Sequence, residues 1–252
     1  MNMKVLFKVV VILLATIVAG CAANGSHDYY NGKCVTCRND FMAGEMLDYE
    51  SKGTNNYTQL SWRELMFEGL ARNGDTDMLP YGEDYLKHRI GNKAISLQSN
   101  EIAYRREIVK SSSELDASLA QHSLKKAYQI TLSSQLGAYD FVRKEFPLRF
   151  AKSFAFTGGN NIKILPRKIA VNVGNFTEIP NFKISPEDAE NFLNARNNSR
   201  GVYVRYIVEI TKMISPSLFE SRVREVQFID VKPSIVSNTD KEKYQPFRSV
   251  KM

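Results

Sequence analysis

The chain has 252 residues, with 34 Lys and Arg against 27 Asp and Glu and a formal net charge of +7. With 43% hydrophobic residues, 24% charged residues and 14 glycines it is neither disordered nor fibrous, and it is long enough to bury a core in one or two domains. Three cysteines are too few for a miniprotein built on disulfides.

Residues 1–20 contain Lys4 and Lys8 and no acid, so the chain from Cys21 onward carries a net charge of +5. Val9 to Val18 is apolar apart from Thr16. That run is too short to span a hydrocarbon core of ~30 Å, which needs about 20 residues, and with the positive start it predicts a secretory signal peptide. Val18-Ala19-Gly20-Cys21 resembles the lipobox of bacterial lipoproteins. The resemblance implies cleavage before Cys21, a thioether-linked diacylglycerol on its sulfur and an acyl group on the new amino terminus. A thiolate is the nucleophile such a step requires, and several acyl chains make a stable anchor where one is marginal. By resemblance to enterobacterial lipoprotein sorting rules, Ala22 in place of an acid after the cysteine implies the outer rather than the inner membrane. An uncleaved buried helix, or an ordinary signal peptide with a chance cysteine, are the alternative readings.

Residues 21–59 are rich in Asn, Gly, Ser, Asp and Tyr and hold neither helical nor strand period, which predicts a polar tether. Within it Cys34-Val35-Thr36-Cys37 forms a C-x-x-C. Ser61-Trp62-Arg63-Glu64 is a capping box flanked by Leu60 and Leu65, opening a helix that Asn73-Gly74 ends. A second helix is expected over Tyr81 to Ile90 with Gly91 as its stop, and a third over Leu97 to Lys125, where Ser111-Ser112-Ser113 is a candidate break. From Tyr128 the period changes to alternation. Strands are expected from Tyr128, and over Leu148 to Phe156, Ile162 to Val173, Val202 to Met213 and Val223 to Val231. Gly158-Gly159-Asn160-Asn161 signals a hairpin connection. Ser185-Pro186-Glu187-Asp188 supplies an N-cap, a first-turn proline and acids for a helix ending at Asn197-Asn198. Residues 238–252 are polar and charged and predict a loose tail.

The fold class expected is α+β, with N-terminal helices followed by a mostly antiparallel sheet and one inserted helix, in a single domain over residues 60–237. Charge divides unevenly. Residues 21–125 hold 12 basic and 15 acidic residues, and residues 126–252 hold 20 and 12. Arg143, Lys144, Arg149, Lys152, Arg167 and Lys168 in the basic half invite an anionic envelope glycan; a solvated basic surface is the plainer reading. Nucleic acid is not expected as a partner outside the cytoplasm. His27, His88 and His122 form no metal-spaced pair, no nucleophile elbow or phosphate-cradling glycine motif occurs, and so no catalytic, cofactor or metal residue is assigned. Cys34 and Cys37 read as a local disulfide in an oxidising compartment, with a redox dithiol as the alternative. Tyr139-Asp140-Phe141 and Phe146-Pro147 read as core aromatics beside a turn, with an exposed binding loop as the alternative.

Leu136-Gly137-Ala138-Tyr139-Asp140-Phe141, Phe146-Pro147-Leu148 and Ser185-Pro186-Glu187-Asp188-Ala189 together resemble segments of secreted bacterial proteins of unknown function, over roughly residues 120–235. That resemblance carries no catalytic residues. The function expected is a lipid-anchored envelope protein that binds other envelope components through non-enzymatic contacts, with the membrane held through Cys21. An envelope enzyme or a thiol–disulfide protein using Cys34 and Cys37 is the alternative.

Overall fold

The computed structural model describes residues 29–30, 33–34, 57–124, 127–159, 161–230 and 246–252. Tyr29–Tyr30 (β1) and Lys33–Cys34 (β2) pair antiparallel. Thr58–Gln59 (β3) leads into helix α1, Trp62–Asn73. Ser61 Oγ accepts from the Glu64 amide at 3.2 Å, and Gly74 ends the helix at φ 75°, donating to the Leu70 and Ala71 carbonyls. Both ends are as the capping residues dictate. A short 3-10 turn, Leu79–Tyr81, precedes α2, Gly82–Ile90, and α3 is the short helix Lys93–Leu97.

Helix α4, Glu101–Ala120, starts later than expected because Asn100 caps it, its side chain accepting from the Ala103 amide at 3.0 Å. It runs unbroken through the three serines. Ser111 is buried and accepts from Arg89, and Ser113 donates back to the Val109 carbonyl, so neither hydroxyl competes with the helix.

The strands are β4 (Ala127–Gln135), β5 (Glu145–Phe146), β6 (Ser153–Thr157), β7 (Lys168–Val173), β8 (Phe182–Lys183), β9 (Gly201–Ser215), β10 (Leu218–Ile229) and β11 (Pro246–Lys251). Helix α5, Pro186–Asn194, lies between β8 and β9; Ser185 caps it, and Asn197 and Asn198 stop it at φ 52° and 63°. The main sheet has the order β3-β4-β9-β10-β7-β6, with β11 also on β10. Four of its pairings are antiparallel, and β3–β4 and β7–β10 are parallel. The chain is therefore α+β with a mostly antiparallel sheet. One edge of β10 serves two partners: Leu218–Ser221 pairs with β7 and Glu225–Ile229 with β11. The β9–β10 register shifts between Val223 and Glu225, which lets Val223 and Val226, three residues apart, both face the core.

The core forms where α1 (Leu65, Met66, Leu70), α4 (Leu115) and the inner faces of β4, β9, β10 and β7 meet, with Val204, Val208, Phe219 and Val171 fully buried. The opposite face of β9 is buried too, at Arg205 and Ile207; the Arg205 guanidinium donates to Thr131 Oγ1 and Gln227 Oε1.

Three expectations are corrected. The strand expected over Ile162 to Val173 starts only at Lys168, because the amides of Lys163, Ile164 and Leu165 all donate to the Asp84 carboxylate at 2.6–3.0 Å and cannot join a ladder. The strand expected over Leu148 to Phe156 is displaced to Ser153–Thr157; upstream, the Leu148 amide donates to Asn181 Oδ1, outside the ladder. The loose tail expected from Asn238 ends instead in β11, because Phe247 packs against Phe182, Phe192 and Phe228 at ring distances of 5.5–6.4 Å. The small β5–β8 pair was not expected from the sequence, and it brings Phe146 and Phe182 into a stack at 6.0 Å.

Asp84→Ala leaves three amides without their acceptor and is expected to destabilise the fold by about 3 kcal/mol, read as a lower midpoint in chemical denaturation with an unchanged slope.

Candidate functional site

The two ends of the main sheet approach each other. Ile130, Thr131 and Leu132 of β4 and Ser153–Thr157 of β6 line one cleft, although three strands, β9, β10 and β7, lie between them in the sheet order. The sheet is thus curled, and the cleft of about 700 Å³ occupies the gap between its ends. Trp62, at the start of α1, and His88, in the last turn of α2, form one wall.

Trp62 is 3% exposed, and its indole N–H donates to the Pro166 carbonyl at 2.7 Å, which fixes the ring. The His88 ring lies 4.5 Å from it, tilted by 42°. Gly158 passes against the Trp62 ring so closely that a Cβ there would sit 2.2 Å from Trp62 Cε2, so no larger residue fits without moving the indole.

The chemistry of His88 follows from its partners. Nδ1 lies 3.2 Å from the Gly158 carbonyl, which only accepts, so Nδ1 carries the proton and Nε2 keeps a lone pair. Burial holds the imidazole below its ordinary pKa, the Arg63 charge adds to this, and the Gly158 hydrogen bond opposes it. The ring is therefore neutral at neutral pH. Nε2 is a buried acceptor with no hydrogen-bond partner among the described residues. A ligand supplying an O–H or N–H against an apolar wall matches that arrangement.

A second polar cluster lies on the inner side of α1. Glu68 is fully buried and accepts from the Tyr128 hydroxyl at 2.7 Å and the Arg72 guanidinium at 2.9 Å, with His122 Nε2 at 3.3 Å. Arg72 also donates to the Ile210 carbonyl. Burial by itself would raise the Glu68 carboxyl, but the hydrogen bonds from His122, Tyr128 and Arg72, with the Arg72 charge, hold it below its ordinary value. Burial and the neighbouring Glu68 charge push the Tyr128 phenol far up. None of these residues lines the cleft. Their arrangement joins α1 to β4, to β9 and to the end of α4, and it fits a structural role.

Sequence reasoning assigned no role to Trp62 or His88. The available signals were the position of the single tryptophan in a capping box and the adjacent glycines at 158 and 159, but nothing in the spacing of His88 connects it to either. Among the expected core aromatics, Phe146 is buried and Tyr139 half-buried, with the Tyr139 hydroxyl donating to the Ile184 carbonyl; Phe141 instead is 74% exposed. Of the six scattered cations, Lys152 packs over the Phe176 ring and Arg167 donates to the Ile162 carbonyl, while Arg143 and Lys144 sit in the β4–β5 loop. Cys21 and Cys37 lie outside the described residues, and only the backbone of Cys34, in β2, is described. Among the described residues no group of three or more His, Cys, Asp or Glu is placed to hold a metal ion, and no helix is long and apolar enough to cross a membrane.

Glu68→Gln removes the charge that faces Arg72 and is expected to cost about 3 kcal/mol, the low end for breaking a buried pair, because Arg72 keeps the Ile210 carbonyl. The pH dependence has a defined sign. Glu68 is lowered from 4.5, so its contribution is full above that pH and is lost as pH falls through the lowered value. His88 is lowered from 6.5, so the unfolded chain takes up its proton first and stability also falls below pH 6.5. The thermal midpoint is expected to decline in both windows, and Glu68→Gln to flatten only the more acidic one.

Comparison with known proteins adds one relation. No curated protein and no solved structure matches the chain. A domain of unknown function, DUF4852, is found over residues 82–195, the span from α2 to just past α5 that contributes Asp84, His88 and Gly158 but not Trp62.

Proposed function

We propose that the protein is a lipid-anchored component of the bacterial envelope that acts by binding, with the cleft under Trp62 and His88 as its ligand site. The observation that carries this reading is the buried, unpartnered Nε2 of a neutral His88 on the wall of a cleft of about 700 Å³. Such a wall suits a ring-shaped ligand with an apolar face and a hydroxyl or amide donor, as in the sugar and peptide units of envelope polymers. Binding is favoured over catalysis because, among the described residues lining the cleft, no hydroxyl is hydrogen-bonded to the His88 imidazole, the arrangement that would activate a nucleophile. The anchor is supported by the lipobox-like Val18-Ala19-Gly20-Cys21, and the polar residues after it give the reach to hold the domain clear of a membrane.

Trp62 is the single tryptophan, so its emission reports the cleft directly. Titration with soluble muropeptides and envelope oligosaccharides is expected to shift that emission saturably, and His88→Leu to weaken binding at least tenfold, the loss of about one hydrogen bond to a buried acceptor. A full panel leaving the emission unchanged, or His88→Leu binding as tightly as the parent, refutes the cleft assignment.

The anchor is tested separately. In cells fed a labelled fatty acid, the parent is expected to take up label and fractionate with membranes, and Cys21→Ser to lose the label. Undiminished labelling of Cys21→Ser refutes the anchor without touching the cleft.

A further inference from the structure

Helix α4 has two faces. Ile108, Ser111 and Leu115 are buried against the domain. Ile102, Arg105, Arg106, Val109 and Lys110, at spacings of three and four, line one shallow groove on the outer surface. Ile102 is 75% exposed and Val109 48% exposed, and the three cations beside them are exposed as well.

An ordinary solvated helix neutralises such cations with acids one turn away. Here two of those acids are drawn elsewhere, while Glu101, one turn before Arg105, stays in the groove without forming an ion pair among the described residues. Glu107 and Glu114, the acids one turn from Lys110, both turn to Arg89 on α2, Glu107 at 3.8 Å and Glu114 in closer contact. Among the described residues none of Arg105, Arg106 and Lys110 forms an ion pair, and Glu101 is the one acid lining the groove. Three positive charges therefore stand together in the half of the chain whose net charge is negative.

We propose that this face of α4 docks the domain on an anionic lipid bilayer. The chemistry selects that occupant on two counts at once. Arg105, Arg106 and Lys110 meet headgroup phosphates, and Ile102 and Val109, two helical turns apart, enter the boundary between headgroups and acyl chains. A nucleic acid would satisfy the cations but offer nothing to two branched aliphatic side chains. The inference rests on α4 alone and requires neither the lipid on Cys21 nor a ligand in the cleft.

The test uses the full chain with vesicles of phosphatidylcholine alone and of phosphatidylcholine mixed with phosphatidylglycerol. Any apolar or acylated N-terminal segment contributes to both, so the ratio of the two partition coefficients is the quantity read. Three cations at an anionic surface are expected to give a ratio on the order of 100, with hydrogen exchange over residues 101–113 slowed on the mixed vesicles. R105Q/R106Q/K110Q is expected to bring the ratio near one, and I102S/V109S to lower partitioning on the mixed vesicles tenfold or more, both with unchanged thermal unfolding because every altered side chain is exposed. A ratio near one for the parent overturns the proposal. So does protection confined to the exposed Phe141-Val142-Arg143-Lys144 loop, or soluble polyglutamate protecting residues 101–113 as strongly as the vesicles do, which would assign the face to an acidic polypeptide.

Discussion

The Asp84 carboxylate decides how the two layers of the molecule fit together. By accepting the amides of Lys163, Ile164 and Leu165, it pins the connection between β6 and β7 to helix α2. That pinning stops β7 from starting earlier and sets Pro166 under the Trp62 indole. It also brings Gly158 to His88. A buried carboxylate is costly to desolvate, and it is tolerated here because several backbone donors surround it. The curl of the sheet and the cleft between its ends depend on this one loop being held. Helix α2 thereby links the fold to the site, with Asp84 on one turn and His88 on the next.

The buried ionisable groups divide by what faces them. Glu68 is satisfied from three sides and serves as a joint between α1, β4, β9 and the end of α4. His88 is satisfied on one nitrogen only, its other nitrogen is buried without a partner among the described residues, and the residue lines the cleft. The same principle, that buried polar atoms require partners, therefore reads the first as structure and supports the proposal of a ligand beside the second. On the surface the same reasoning separates Arg89, which absorbs Glu107 and Glu114, from the cations of α4 that those acids leave unneutralised.

Helix ends were legible in the sequence because capping is a local event. Ser61, Gly74, Ser185 and the Asn197-Asn198 pair act within a few residues of themselves and do so here as their chemistry dictates. Strand β9 was legible from its alternating apolar residues Val202 to Ile210, although its other face is buried at Arg205 and Ile207, and β10 was legible only from Val223 onward. Short elements were not. β3, β5 and β8 have two residues each, too few to carry a period, and β11 is held by one aromatic side chain inserted among distant rings. Ile162 and Leu165 have strand-like composition and are buried, yet they lie in a loop because a carboxylate from another helix takes the local amides.

By itself, the sequence determined the α+β class, the helix boundaries set by Ser61, Gly74 and Ser185, the alternating core of β9 and the division of charge between the halves. These follow from periodicity and local chemistry, which act over neighbouring residues. Tertiary structure alone decided the cleft, the tautomer of His88, the burial of Glu68 and the grouping of bare cations on α4. Each of those depends on residues that meet only after the sheet curls and the helices dock: His88 meets Gly158 across 70 positions, and Glu68 meets Tyr128 across 60. The overall charge of +7 shows the same division. Composition places its excess in the strand-rich half, while the packing of Arg89 concentrates exposed positive charge on a helix of the acidic half, because ion pairing is settled by proximity in space and not along the chain.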